Sequence, residues 1–203
     1  MPKKDEILNG LQSIANNFSF YAIVWHIIFY GIIIALVSKW SPSKRISALF
    51  LCLPLFSVAV FAWITGNPFN GILFLVLSLL VLLFGFKANI NPVSFSKTPY
   101  LVAGVLMIVF GLVYPHFIET NSIIKYLYAS PVGLIPCPTL SILIGFLLIF
   151  NGFESNPLML ILLIAGLFYG LFGTFKLAVY IDIFLILGTF SLLVKYIMVL
   201  RNH

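Results

Sequence analysis

Long apolar runs separated by short polar breaks occupy almost the whole of this chain. Seven of them, near 18–38, 46–65, 70–86, 99–114, 132–151, 157–175 and 178–199, approach the ~20 apolar residues that a helix needs to cross a bilayer. The segment before them is patterned differently. Ile7, Leu8, Leu11, Ile14, Ala15 and Phe18 recur at helical spacing, against Asn9, Gln12, Ser13, Asn16 and Asn17. Residues 1–17 therefore predict a short amphipathic helix in the membrane interface. The fold class is all-α: a polytopic transmembrane helix bundle of about seven spans, forming a single integral membrane domain over 1–203.

Punctuation between the runs agrees with this reading. Asn67-Pro68, Asn91-Pro92 and Asn156-Pro157 each fit an Asn cap with Pro at the first helical position, where the missing N–H would be unpaired anyway. Trp40 and Trp63 stand at span ends, as belt aromatics do. Gly166, Gly170 and Gly173 make a stripe suited to close helix packing. Lys3-Lys4 runs directly into Asp5-Glu6 with no small-residue cleavage site after the first run, so the start does not read as a secretory signal.

Composition sharpens the class. The chain is 62% hydrophobic and only 8% charged, against about 25% charged in soluble domains. Its formal net charge is +6, but the basic residues sit at span ends, which points to lipid headgroups rather than nucleic acid. With the N-terminus outside, Lys39, Lys44, Arg45, Lys87, Lys97, Lys195 and Arg201 collect on the cytoplasmic side, and Lys3, Lys4, Lys125 and Lys176 outside. The positive-inside rule thus favours N-out, C-in placement in a cell membrane. No charge falls near the middle of a span, which argues against a proton relay or a voltage sensor.

Candidate chemistry gathers on the predicted outer side. The fourth run ends at Tyr114-Pro115-His116, a loop carries Glu119, and the fifth opens at Gly133 and Pro136-Cys137-Pro138-Thr139. Two prolines around Cys137 predict a broken, elbow-like helix start, whose freed backbone groups need partners or a wet cavity. Asp182 opens the last run, and His26 lies in the outer half of the first. Cys137, His116, Asp182, Thr139, Tyr114, Glu119 and His26 are the candidate ligand-binding residues, and Pro136, Pro138 and Gly133 the structural elbow. Cys137 and His116 would be the ligands if a metal binds. The plainer alternatives stand beside these. Cys137 can be a small packed side chain, His26 can bond a neighbouring helix through Tyr21 or Tyr30, and Asp182 can pair with Lys176. A phosphate-cradling Gly-rich loop, Cys-x-x-Cys and His-Glu-x-x-His are all missing. Neither an enzymatic activity nor a cofactor is therefore expected.

Tyr114-Pro115, the Gly133 to Thr139 motif, Gly145, Trp25, Asn67-Pro68, Phe74 and Asp182 together resemble a prokaryotic membrane family catalogued as domain-of-unknown-function family 6064. The likeness runs over most of the chain, with His26 standing where a Pro would be expected. The resemblance implies a small multi-pass membrane protein and supplies no substrate. Three functions follow as expectations: a small-solute or ion transporter-like bundle with its site at Pro136-Cys137-Pro138-Thr139; a metal- or thiol-handling protein using Cys137 and His116; or a non-catalytic accessory subunit. Beyond the lipid bilayer, the sequence names no partner.

Overall fold

The computed structural model describes residues 3–88 and 90–201. Among these residues nine α-helices follow one another: α1 (Lys4–Asn17), α2 (Ser19–Val37), α3 (Lys44–Ile64), α4 (Pro68–Lys87), α5 (Thr98–Leu112), α6 (Lys125–Ala129), α7 (Pro136–Ile149), α8 (Asn156–Leu171) and α9 (Ile183–Arg201). A π-helical turn, Phe172–Lys176, extends α8, and a 3-10 turn, Tyr180–Asp182, leads into α9. Among the described residues no strand forms; Ser43 and Pro92 make one isolated bridge.

Among the described residues five segments are long and apolar enough to cross a membrane: Ser19–Val37, Lys44–Ile64, Pro68–Lys87, Asn156–Lys176 and Tyr180–Arg201. The other two expected spans form shorter helices, α5 with 15 residues and α7 with 14. At 1.5 Å per residue these cover roughly 21–23 Å, less than the ~30 Å hydrocarbon core. Prolines and turn residues trim them. Thr98-Pro99 starts α5 and Pro136 starts α7, while Asn151, at φ 53°, leaves the helical region just after α7.

Two of the Asn-Pro signals shift. Asn67 caps α4 as expected, its side chain accepting from the Asn70 N–H at 3.1 Å. Before α8, however, the cap is Ser155, with Asn156 already inside the helix. Asn91-Pro92 starts no helix: the Asn91 carbonyl accepts from the Lys44 N–H at 2.9 Å, and α5 waits until Thr98.

α7 is the axis of the bundle. Every residue from 131 to 150 is buried except Cys137, which stays partly exposed. A helix surrounded by protein needs no polar face, and none is present in Leu140 to Ile149 beyond Ser141. α5 lies antiparallel against it at backbone contact. A Cβ added to Gly104 would stand 2.6 Å from the Gly145 carbonyl oxygen, and one on Gly145 would stand 2.7 Å from that of Gly104. The expected glycine stripe on α8 faces α9: Gly166 meets Thr189, and Gly170 meets Ile186.

α1 is built into the bundle. Leu11 and Ile14 join Tyr114, Leu134, Ile135, Leu177 and Val179 in one apolar cluster that closes one end of the bundle. Its polar face is stapled to the loop after α5. The Asn16 amide donates to the Phe117 carbonyl at 2.9 Å, and Gln12 donates to Glu119 at 2.7 Å.

The Gly104–Gly145 contact generates a prediction. Alanine normally stabilises a helix by up to ~1 kcal/mol over glycine. Gly145→Ala should instead lower the thermal unfolding midpoint in detergent, at a cost of about 1–3 kcal/mol for overpacking. Gly31→Ala, with nothing within 4 Å of its added Cβ, should hold or raise it.

Candidate functional site

The expected elbow has a different anatomy from a broken helix. Pro136 and Pro138 fall in the first turn of α7, where backbone N–H groups have no intrahelical acceptor, so they start the helix rather than interrupt it. The bend lies upstream at Gly133, whose φ of +72° suits glycine. Any Cβ there would also run into the Trp25 indole. Thr139 locks the bend. Its hydroxyl accepts from the Gly133 N–H at 2.8 Å and donates to the Ile135 carbonyl at 2.7 Å.

Three of the candidate side chains meet here. Asp182 is 1% exposed. Its Oδ1 accepts from the Tyr114 hydroxyl at 2.7 Å, and its Oδ2 accepts from the Cys137 thiol at 3.2 Å. Tyr114 follows the end of α5, Cys137 sits in the first turn of α7, and Asp182 precedes α9. One carboxyl therefore ties three helix ends together. The chain returning from α8 passes close by: Val179 donates its N–H to the Gly173 carbonyl at 2.9 Å, and a Cβ on Gly173 would overlap the Asp182 carboxyl. Beside it, the Thr174 hydroxyl is buried without a hydrogen-bond partner.

The alternative pairing of Asp182 with Lys176 does not form. Lys176 is exposed, and the carboxyl turns inward to the two neutral donors. The remaining candidates lie elsewhere. His26 stands between two backbone carbonyls, Ala22 at 2.8 Å and Leu112 at 2.9 Å, so it joins α2 to α5 through the backbone rather than through Tyr21 or Tyr30. Tyr30 instead donates to the Leu127 carbonyl. His116 packs edge-on against Phe117, with ring centroids 4.3 Å apart, and partial burial lowers its pKa below the ordinary imidazole value. Glu119 belongs to the α1 staple. Among the described residues no group of three or more His, Cys, Asp or Glu side chains is placed to hold a metal ion.

The opposite end of α7 holds a functional-looking group that the sequence reading placed at the membrane surface. Lys195 is 3% exposed, deep within α9. Its ammonium donates to Ser96 Oγ, stands 3.5 Å from the Leu148 carbonyl, and lies 4.9 Å from the centroid of the Tyr100 ring. Ser96 also donates to the Leu148 carbonyl, while its N–H donates to the Ile149 carbonyl at 2.8 Å. The last carbonyls of α7 end inside protein and need such donors, and a cation suits the negative end of the helix dipole. A lysine flanked by apolar residues from Phe190 to Leu200 was the available signal. Further out, Lys44 pairs with Glu154, which also accepts from Ser94 at 3.2 Å.

Two predictions follow from these contacts. Tyr114→Phe and Asp182→Asn should each destabilise the fold by about 1–3 kcal/mol, and the double variant should show a coupling of roughly 0.5–3 kcal/mol in unfolding measurements. Purely additive costs would mean the two side chains are not linked. At the other end, the bond from Lys44 holds the Glu154 pKa below the ordinary carboxylate value, helped by Ser94. A depressed folded pKa gives stability that is present above the unfolded value and lost as pH falls through the folded one. The thermal midpoint should therefore fall less on acidification in Glu154→Gln than in the parent chain. An identical acid loss in both would remove the pair as its cause.

No family model matches this chain, and neither a curated protein nor a solved structure is similar to it.

Proposed function

We propose that this protein is a transporter-like membrane bundle for a small solute or ion, with Asp182, Tyr114 and Cys137 as its polar site. In this reading all seven expected spans are embedded, the short α5 and α7 within the shell of longer helices, with the N-terminus outside and the C-terminus inside. The observation that carries it is the Asp182 carboxyl. It is buried beside a membrane-length apolar helix and bonded to a hydroxyl and a thiol, with no cationic partner among the described residues. Acids in such places are costly and commonly bind ions, protons or polar solutes.

The surroundings suit that role. The bent 131–135 segment, the π-helical turn after α8 and the 3-10 turn before α9 put irregular backbone around the carboxyl, as in binding sites built from discontinuous helices. Cys137 is the one residue of 131–150 that is only partly buried. The packed ring around α7 means that passage would require movement of α1 or of the 172–182 segment. That same close packing favours a second reading, an accessory subunit, which predicts a stable partner on gentle extraction. The metal-handling reading has less support, since Cys137 bonds Asp182 while His116 packs on Phe117.

The test combines access and flux. In a Cys52→Ser background, Cys137 should react in intact cells with a membrane-impermeant maleimide. Proteoliposomes of the full chain should show proton or monovalent-cation flux that Asp182→Asn abolishes although the variant, with its lowered thermal midpoint, is still folded at the assay temperature. Reaction of Cys137 only after unfolding, together with no flux from the parent protein, would sink the proposal.

A further inference from the structure

A second feature lies at the far end of α7, remote from Asp182 and independent of the transport reading. An open cavity of about 830 Å³ sits where α3 and α8 begin and α4 and α9 end. That volume is within the range of roughly 300–1,000 Å³ typical of small-molecule sites. Its charged lining is Lys44, Lys87 and Glu154, and Phe84 and Phe153 supply an apolar floor.

Charge within the cavity does not cancel. Lys44 is buried and satisfied by Glu154, whose carboxyl is also held by Ser94. Lys87 is exposed and has no acidic partner among the described residues; its ammonium lies 5.7 Å from the centroid of the Phe84 ring. Arg45 adds a second cation at the rim, its Nε donating at 3.2 Å to the carbonyl of Ala88, itself a lining residue. The first residues of α8, Asn156 and Pro157, open onto the same space, so the positive end of a 16-residue helix adds to the field. Cationic side chains over aromatic rings, at the level where spanning helices end, match an anion with an apolar tail attached.

We infer that this cavity binds a phosphate-bearing anion, with Lys87 and Arg45 as its unpaired cations and the Phe84–Phe153 floor taking the adjoining carbon chain. The chemistry has two sources: the headgroup of an anionic phospholipid, or a soluble phosphate monoester. Glu154 and Lys44 hold the cavity wall in place by neutralising one another, leaving the outer cations to the ligand.

Native mass spectrometry of the full-length protein in detergent tests this, with titrations of dioleoylphosphatidylglycerol, dioleoylphosphatidylcholine and glycerol phosphate. Saturable retention of phosphatidylglycerol over phosphatidylcholine would support the site with lipid as the source. Saturable binding of glycerol phosphate alone would support it with a soluble source. In either case Lys87→Gln should weaken binding roughly fivefold, since a lysine near a headgroup contributes ~1 kcal/mol. Lys87→Arg should retain it, and Lys176→Gln, at the other end of the bundle, should leave it unchanged. Equal retention of both lipids with no glycerol phosphate bound, or binding unaltered in a folded Lys87→Gln, would overturn the inference.

Discussion

Everything in this bundle is arranged around a helix enclosed by protein. α7 is short, apolar on every side and enclosed by its neighbours, so both of its ends fall inside protein. Backbone groups buried there have no water to turn to, and each one left unpaired costs free energy on the scale of ~1–3 kcal/mol. The solution differs at the two ends. At the start, two prolines remove the donors that would be orphaned. At the finish, Ser96 and Lys195 supply donors to the last carbonyls.

A single helix brings both charged partners. Asp182 stands just ahead of α9 and Lys195 lies within it. The rise between them is about 20 Å and the length of α7 about 21 Å, so a parallel packing of the two places an acid by the start of α7 and a cation by its end. Both signs agree with the dipole of α7. Slipping α9 by one turn along α7 would strand both groups in apolar surroundings. This makes α9 the register gauge of the bundle, much as a buried polar residue sets register elsewhere. The glycines of α5 and α8 then let the remaining helices close in without a steric cost.

The two ends of α7 have different chemical characters as a consequence. At one, α1 covers a neutral-donor cluster centred on a buried carboxyl, with Cys137 only partly buried beside it. At the other, helix ends splay around an open, net cationic cavity. A buried acid and an open basic mouth suit different partners.

The all-α class, the approximate place of the long apolar helices and the amphipathic face of α1 were legible in the sequence, because apolar runs and 3.6-residue periodicity are local properties; the short α6, in a stretch that reads as loop, was not. So was Asp182, since an acid beside an apolar run is conspicuous wherever it points. The partners of these residues were not legible. Asp182 chose Tyr114 and Cys137 over the nearby Lys176 because the 177–182 segment folds its side chain inward, against Gly173. Lys195 looked like a headgroup lysine because sequence position alone does not reveal that α7 ends early and leaves carbonyls to be met. Pro136 and Pro138 read as a break, yet became a helix start once Gly133 had made the turn. Local pattern determined which segments are helices. Only tertiary packing decided which helix was central, and therefore which polar groups had to find one another, because that requirement arises when backbone ends are cut off from water.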